Sequence, residues 1–320
     1  MACEIVDKIR REEQETLWTR DFEDSLATEE GDIYPGMMFS LAKERMEKSR
    51  LWNIIRTMPK GALLHCHMEA MVDFLWLLDL TFETEGIYVI AEKALDSDVS
   101  RLKTPFTFQY IHPSVAKDTD ANVLEDPHAD IWESSYTPNT PVPLHSSAAT
   151  YPEGGKDGFV TWVTSRCTIT PQEALNHHHG PNDVWRKFGS CFPILSSIIN
   201  YEPIWRKYVY KMCQELHRDG VFWVDMRSVL GMPFYRKDAK EPDKDLDYKM
   251  TCLEEEVKRV CDYTAQNKLA WDSASGRLES MKMPPYWGGR LIWTGFRGWP
   301  KSEIIKGMCL NNSYSIWISS

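Results

Sequence analysis

At 320 residues, with 42% hydrophobic and 26% charged positions, the chain has the composition of an ordinary soluble globular protein, long enough for one large domain or two smaller ones. A formal net charge of −10 excludes nucleic acid and anionic membrane as main partners, and the one basic stretch, Lys301 to Lys306, is sparse. Eight cysteines without a CxxC pair read as buried thiols of an intracellular protein, not a disulfide framework, and no run approaches a membrane span.

In chain order, Ile5 to Thr19 carries apolar positions among dense charge and predicts a helix with a solvated face. Met1 to Glu15 has no apolar core of a secretory leader, so the expected location is cytoplasmic. Met37 to Met58 predicts a second helical stretch, rich in good helix formers. Pro59 and Gly61 then introduce a short apolar run, Ala62 to Leu64, of the kind that forms a buried parallel strand. It ends in His65-Cys66-His67, with Glu69 two residues on and a helix-like run from Met71 to Leu80. Glu92 to Pro152 changes character to Ser, Thr, Pro, Asp and Asn, and reads as a long insertion in which Thr137 to Pro143 cannot be helix or central strand. Its His112, His128 and His145 read as solvated loop residues.

Thr170-Pro171-Gln172-Glu173 reads as a helix start with an N-cap and an acidic first turn. The following His177-His178-His179 points three ways on a helix and is a poor metal cluster. Asp183–Ile199 and Pro203–Arg218 predict two helices, and Val221–Val229 a strand on which Asp225 and Arg227 share a face as a structural pair. Asp245–Gln266 predicts a helix, Arg290–Phe296 a third strand, and Ser302 opens a further helix. The segment after Met308 has no helical period and contains the one Asn-x-Ser sequon, at Asn311.

Side chains alternate along a strand, so His65 and His67 project to one face and Cys66 to the other. Two neutral imidazoles at the C-terminal end of a strand are a ready pair of ligands for a divalent metal, and that end is the catalytic face of a β/α barrel.

The stretch Pro59 to His67 resembles the first barrel strand of the adenosine deaminases, and most of all their growth-factor-related branch in its fungal form. Ala174–Pro181 with Val184–Phe188, Tyr201–Ile204 and Asp219–Arg227 resemble the same branch in the same order, and the likeness runs to near Met308. It implies the N-terminal portion of a TIM-type (β/α)8 barrel, incomplete at three strands, with a helical extension over 1–58, a barrel part over 59–308 interrupted at about 92–152, and an aberrant tail over 309–320. It implies hydrolytic deamination of adenosine with one zinc ion, held here by His65 and His67. It implies substrate contacts from Glu69, where the family often has Asp, and from Trp185, which reads equally as a core tryptophan. The N-terminal helices would join two subunits or simply pack. The family's third histidine, its His-Ala-Gly-Glu acid/base segment and its late Asp are not found: no histidine follows His217. The expectation is therefore a truncated chain, inactive alone, with no catalytic residue assigned. Two alternatives stay open, a non-catalytic fragment or interaction module, and another metal-dependent amidohydrolase.

Overall fold

The computed structural model describes residues 2–22, 39–118, 130–169, 181–267, 284–295, 300–302, 304–305 and 317–319. The chain divides into two compact units, Met1–Pro59 with Ile169–Val184, and Lys60–Thr168 with Trp185–Ser320.

The first unit carries α1 (Ala2–Thr16), α2 (Phe39–Met46) and α3 (Arg50–Thr57). The continuous helix expected over Met37–Met58 is broken at Ser49. Its hydroxyl accepts the Trp52 amide at 2.8 Å and caps α3, an alternative that serine offers the backbone more readily than it extends a helix. Arg50 donates to Glu12 at 2.7 Å and the Leu51 amide to Glu13 at 3.0 Å, which ties α3 to α1 beside the buried Ile9.

In the second unit the described elements are β1 (Gly61–His67), a 3-10 turn (Met68–Ala70), α4 (Phe74–Phe82), β2 (Ile87–Ala91), α5 (Asp98–Lys103), β3 (Phe106–Tyr110), α6 (Pro113–Asp118), β4 (Val142–Pro143), α7 (Leu144–Ala149), α8 (Gly155–Cys167), most of α9 (Pro181–Ile198), α10 (Glu202–Arg218), β5 (Val221–Ser228), α11 (Asp247–Asn267), β6 (Gly288–Trp293) and β7 (Trp317–Ser319). The three expected strands form one sheet in the order β1-β5-β6, all parallel, with β7 antiparallel on the outer side of β6. The fold is therefore mixed α/β, with a parallel sheet and helices.

Val224 and Met226 of β5 are fully buried in one core with Trp205, Tyr208 and Met212 of α10 and Leu253, Val257 and Val260 of α11. Each such side chain contributes roughly 1.5–3 kcal/mol on leaving water, which holds the two helices to the sheet. A Cβ on Gly289 would lie 2.6 Å from the Val224 carbonyl oxygen, so β6 approaches β5 as closely as it does only because Gly289 has no side chain.

The stretch read as an insertion contains regular elements, and its β3 and β4 pair with β2 just ahead of it. β3, β2 and β4 form an antiparallel sheet in that order. Alternate residues Ile87, Val89 and Ala91, and Phe106, Phe108 and Tyr110, face a core that includes Trp132, Tyr151, Phe159 and Trp162. Pro143 sits on the outer strand, where its missing amide costs no ladder bond. His128, the segment Thr170–Glu173, the histidines 177–179 and the Asn311 sequon lie outside the described residues.

Candidate metal and substrate site

The start of β1 is fixed against β5. Gly61 takes φ +74°, a left-handed conformation that favours glycine, and the Lys60 and Gly61 amides both donate to the Gly220 carbonyl, at 2.8 and 3.2 Å. Further along, Leu63 pairs with Val224 and Cys66 with Met226, so β1 carries one more residue than β5 between these points. This is a β-bulge, a device that re-aims side chains. Leu63 and Cys66 both turn toward the helix-side core, while His67 pairs with Arg227 on the opposite face. Arg227 donates to the Leu64 carbonyl at 2.9 Å and so steadies the bulged backbone.

The two imidazoles come together as the strand pattern predicts, with ring centroids 5.8 Å apart. His65 is exposed and His67 half-buried. Neither ring is hydrogen-bonded among the described residues, and the ring of Phe192 from α9 meets His67 edge-on at 5.3 Å. Cys66 between them is buried on the opposite, core side, donates to the Asp225 carbonyl at 3.4 Å, and has its thiol pushed up to about 11 by burial.

Glu69 lies on the 3-10 turn that follows. Tyr208 of α10 donates its hydroxyl proton to the Met68 carbonyl and accepts the Met71 amide at 3.2 Å, pinning both ends of the turn. The Glu69 carboxyl is buried and accepts the Ser228 hydroxyl at 2.8 Å. Lys249 of α11, also fully buried, donates to Asn200 Oδ1 at 2.6 Å with its ammonium over the faces of Trp205 and Phe234. Burial lowers its pKa to about 8, opposed by the field of the Glu69 carboxylate. Glu69 is thus engaged at the base of the strand end, apart from the open face that carries the histidines.

Asp225 does not take Arg227 as its partner. Arg290, adjacent on β6, donates to both carboxylate oxygens at 2.9 and 2.7 Å, and the Trp223 indole donates at 2.9 Å. The Arg290 contact holds the Asp225 carboxyl below the usual range. Same-strand alternation pointed to Arg227, whereas the cross-strand neighbour wins because a guanidinium one strand away can present its fork squarely.

Trp185 is exposed at 60%, and Phe188 beside it at 41%. Trp185, Phe188 and Phe192 make a continuous row along α9, with centroids 5.6 and 5.0 Å apart, and the row ends on His67. The sequence reading picked out Trp185 alone. Its signal for the others was present in the spacing i, i+3, i+7, which puts three aromatics on one helical face.

Two free imidazoles have the donor chemistry of a catalytic zinc site, but supply two of the three protein ligands such a site uses. No group of three or more metal-ligating side chains occurs among the described residues. His217 is committed elsewhere: its Nε2 is 2.9 Å from the Pro284 carbonyl, and burial lowers its pKa. No helix among the described residues is long and apolar enough to cross a membrane.

No family model matches the chain. It is similar to curated adenosine deaminases. Adenosine deaminase 2 of Homo sapiens is 25% identical over 219 residues, covering 67% of this chain and 36% of that protein. Adenosine deaminase 2-A of Danio rerio is 25% identical over 279 residues, 87% of this chain and 45% of that protein. The adenosine deaminase of Lutzomyia longipalpis is 22% identical over 196 residues, 61% of this chain and 32% of that protein. The matched stretch spans 32% to 45% of the length of these relatives.

Proposed function

We infer that this chain carries the first part of a zinc-dependent adenosine deaminase site on the opening strands of a TIM-type barrel, related to the growth-factor-like branch. The observation that carries the reading is the unbonded His65/His67 pair at the end of β1, where two imidazoles face the same way beside an exposed aromatic row. The similarity to adenosine deaminases supports the substrate class, a purine nucleoside.

His65 and His67 would hold the ion, together with a further donor from outside the described residues. When bound, the ion supplies the Lewis acidity that makes water a nucleophile near neutral pH for hydrolytic loss of ammonia at the purine C6. The chain's own residues do the rest. The bulge and the Arg227 bond to Leu64 hold both rings on the open face, and Phe192 fixes the plane of His67. Trp185 offers an exposed face for the base. For Glu69 to touch substrate, its carboxylate must leave the Ser228 hydroxyl and its place near Lys249. The 320 residues contain no His-Ala-Gly-Glu segment to move the proton onto the ring nitrogen, so taken by themselves they bind but do not turn over. The described cysteines are free thiols, which supports a reducing, cytoplasmic setting. The capped helices of the first unit are the candidate subunit contact.

The test is zinc content and adenosine-dependent ammonia release from the purified 320-residue chain, beside a His65→Ala, His67→Ala double variant. The expected result is zinc bound by the parent, lost in the double variant, and no ammonia from either. A parent chain that binds no zinc overturns the metal reading. Ammonia release that the double variant abolishes would mean that an acid/base is present among residues given no such role here.

A further inference from the structure

Cys167 closes α8 and Cys191 lies within α9, and the two meet where these helices touch. The Cys191 thiol donates to the Lys187 carbonyl of its own helix and to the Arg166 carbonyl of α8, both at 3.3 Å. The Arg166 carbonyl belongs to the peptide bond that enters Cys167, so by covalent geometry the Cys191 sulfur lies within about 6 Å of the Cys167 Cα. A disulfide asks for Cβ atoms roughly 3.8 Å apart. Cys167 is the last residue of its helix and Thr168 is already extended, so the helix holds Cys167 from one side only and the chain end can close the remaining gap. The surroundings are cationic. Lys187 donates its ammonium to the Ser165 carbonyl, and the buried Arg166 guanidinium donates to the Arg101 and Thr104 carbonyls beside the ring of Phe106. Among the described residues, the acidic groups whose fields act on Arg166 are the thiols of Cys167 and Cys191. Burial, helped by the neighbouring Cys191, pushes the Cys167 thiol above its usual range, and Arg166 and Lys187 oppose that rise. Exposure separates the two partners: Cys167 is half-buried and Cys191 enclosed. Cys66, Cys213, Cys252 and Cys261 are all shut in the core.

We propose that Cys167 and Cys191 are a modification site, joined as a disulfide by glutathione disulfide and returned to thiols by glutathione, and that the bond fastens α9 to the end of α8. The exchange has two steps. The Cys167 thiolate attacks one sulfur of glutathione disulfide, which forms a mixed disulfide and releases a glutathione thiolate that takes up the proton Cys167 gave up. The Cys191 thiolate then displaces the second glutathione thiolate, which takes up the Cys191 proton, and the Cys167–Cys191 bond forms. Two protein thiols are oxidised and one glutathione disulfide is reduced to two glutathione thiols. Because burial keeps the Cys167 thiol protonated, the exchange is slow, and the pair answers to a sustained oxidising poise rather than to a brief pulse. In a reducing setting it rests as two thiols, as redox-responsive pairs of intracellular proteins do. The chain leaves the second unit after Thr168 and re-enters it at Trp185, so the bond ties the point of exit to the helix of return. It also anchors α9 one residue before Phe192, whose ring meets His67. The modification is independent of the deaminase reading and survives its failure.

The experiment keeps the full 320-residue chain folded, as followed by circular dichroism, in glutathione buffers from fully reduced to fully oxidised. After an acid quench the remaining thiols are capped with N-ethylmaleimide. The unreduced chain is then cut with trypsin, which parts the two cysteines by cleaving after Arg166, Arg186, Lys187 and Arg206. The expected outcome by mass spectrometry is the 167–186 peptide bonded to the 188–206 peptide, lighter than their sum by two hydrogens. This species holds most of both cysteines in oxidised buffer and disappears on return to reduced buffer. In Cys191→Ser the glutathione adduct accumulates on Cys167, and in Cys167→Ser the Cys191 thiol is consumed at least tenfold more slowly than in the parent. A parent in which Cys167 stops at the glutathione adduct, or Cys191 bonds a different cysteine, overturns the pair. So does a parent in which both stay thiols while the exposed Cys3 takes glutathione, and so does a cross-link that forms only once urea has unfolded the chain. Should Cys191→Ser fail to fold, Cys167→Ser decides, since its side chain sits half-buried at a helix end.

Discussion

Replacing Lys249 by Met tests the electrostatics beneath the candidate site. The lysine ammonium is completely enclosed, held by one hydrogen bond to Asn200 and the faces of Trp205 and Phe234, and burial lowers its pKa from 10.5 to about 8. At 1.36 kcal/mol per pH unit, that displacement corresponds to about 3 kcal/mol withheld from the folded state whenever the group is charged. The sign follows from proton counts. Below about pH 8 both folded and unfolded chains hold the proton and the full cost is present. Between about 8 and 10.5 the unfolded chain still holds a proton that the folded chain has released, so stability rises with pH across that window. Methionine has a similar unbranched shape and no charge, so the variant loses this pH dependence. It also leaves the buried Asn200 oxygen without a donor, a penalty of about 1–3 kcal/mol that does not vary with pH. Urea unfolding of both proteins from pH 7 to 10.5 separates the two terms, because every other titrating group is common to both. The parent should gain about 3 kcal/mol on the variant over this range. Stability curves that run parallel would refute the reasoning and mean that the ammonium is hydrated or neutral throughout.

Two further perturbations probe the sheet. Gly289→Ala puts a methyl 2.6 Å from the Val224 carbonyl, a backbone contact that cannot yield, and should cost about 3 kcal/mol or more by spreading β5 from β6; an unchanged melting temperature would show that the strands part freely. Asp225→Asn removes the anion from a pair in which Arg290 is 40% exposed, so screening reduces the loss to about 1–3 kcal/mol. Because the Asp225 carboxyl titrates below its usual 3.8, this contribution is present above that pH and fades as pH falls through the folded value. Parent and variant melting points should draw together as pH falls below 3.8, and a gap that does not narrow with falling pH would contradict the pairing.

The parallel strands were readable because each is a short apolar run introduced by glycine or proline, and the histidines because alternation alone puts positions 65 and 67 together. The small antiparallel sheet that reaches into the insertion was not legible, for a physical reason. Ile87–Ala91 and Phe106–Tyr110 alternate as strands do, yet the Ser, Thr and Pro around them are turn formers, and local composition does not report a pairing partner some 20 residues away. The Asp225–Arg290 pair and the bulge in β1 are both properties of register between strands far apart in sequence, and a single strand's pattern carries neither. Phe188 and Phe192 were legible from spacing, but a row of aromatics at helical intervals more often lines a core, and only the exposure of Trp185 and Phe188 distinguishes this one.

The extra residue in β1 makes the histidine pair a matter of counting as well as of composition. In an unbulged strand Leu63, His65 and His67 share a face, so the leucine that packs into the helix-side core would bring both imidazoles with it. One inserted residue changes the parity: the odd positions serve the core before it and the open face after it. Smoothing the bulge away without changing the residue count would turn the metal donors into apolar packing and offer Cys66 to the open face instead, whereas deleting the extra residue would remove the bulge and leave Cys66 on the core side and His67 on the open face. The facing of the histidines is therefore set by how this strand pairs with β5 as much as by the residues it carries.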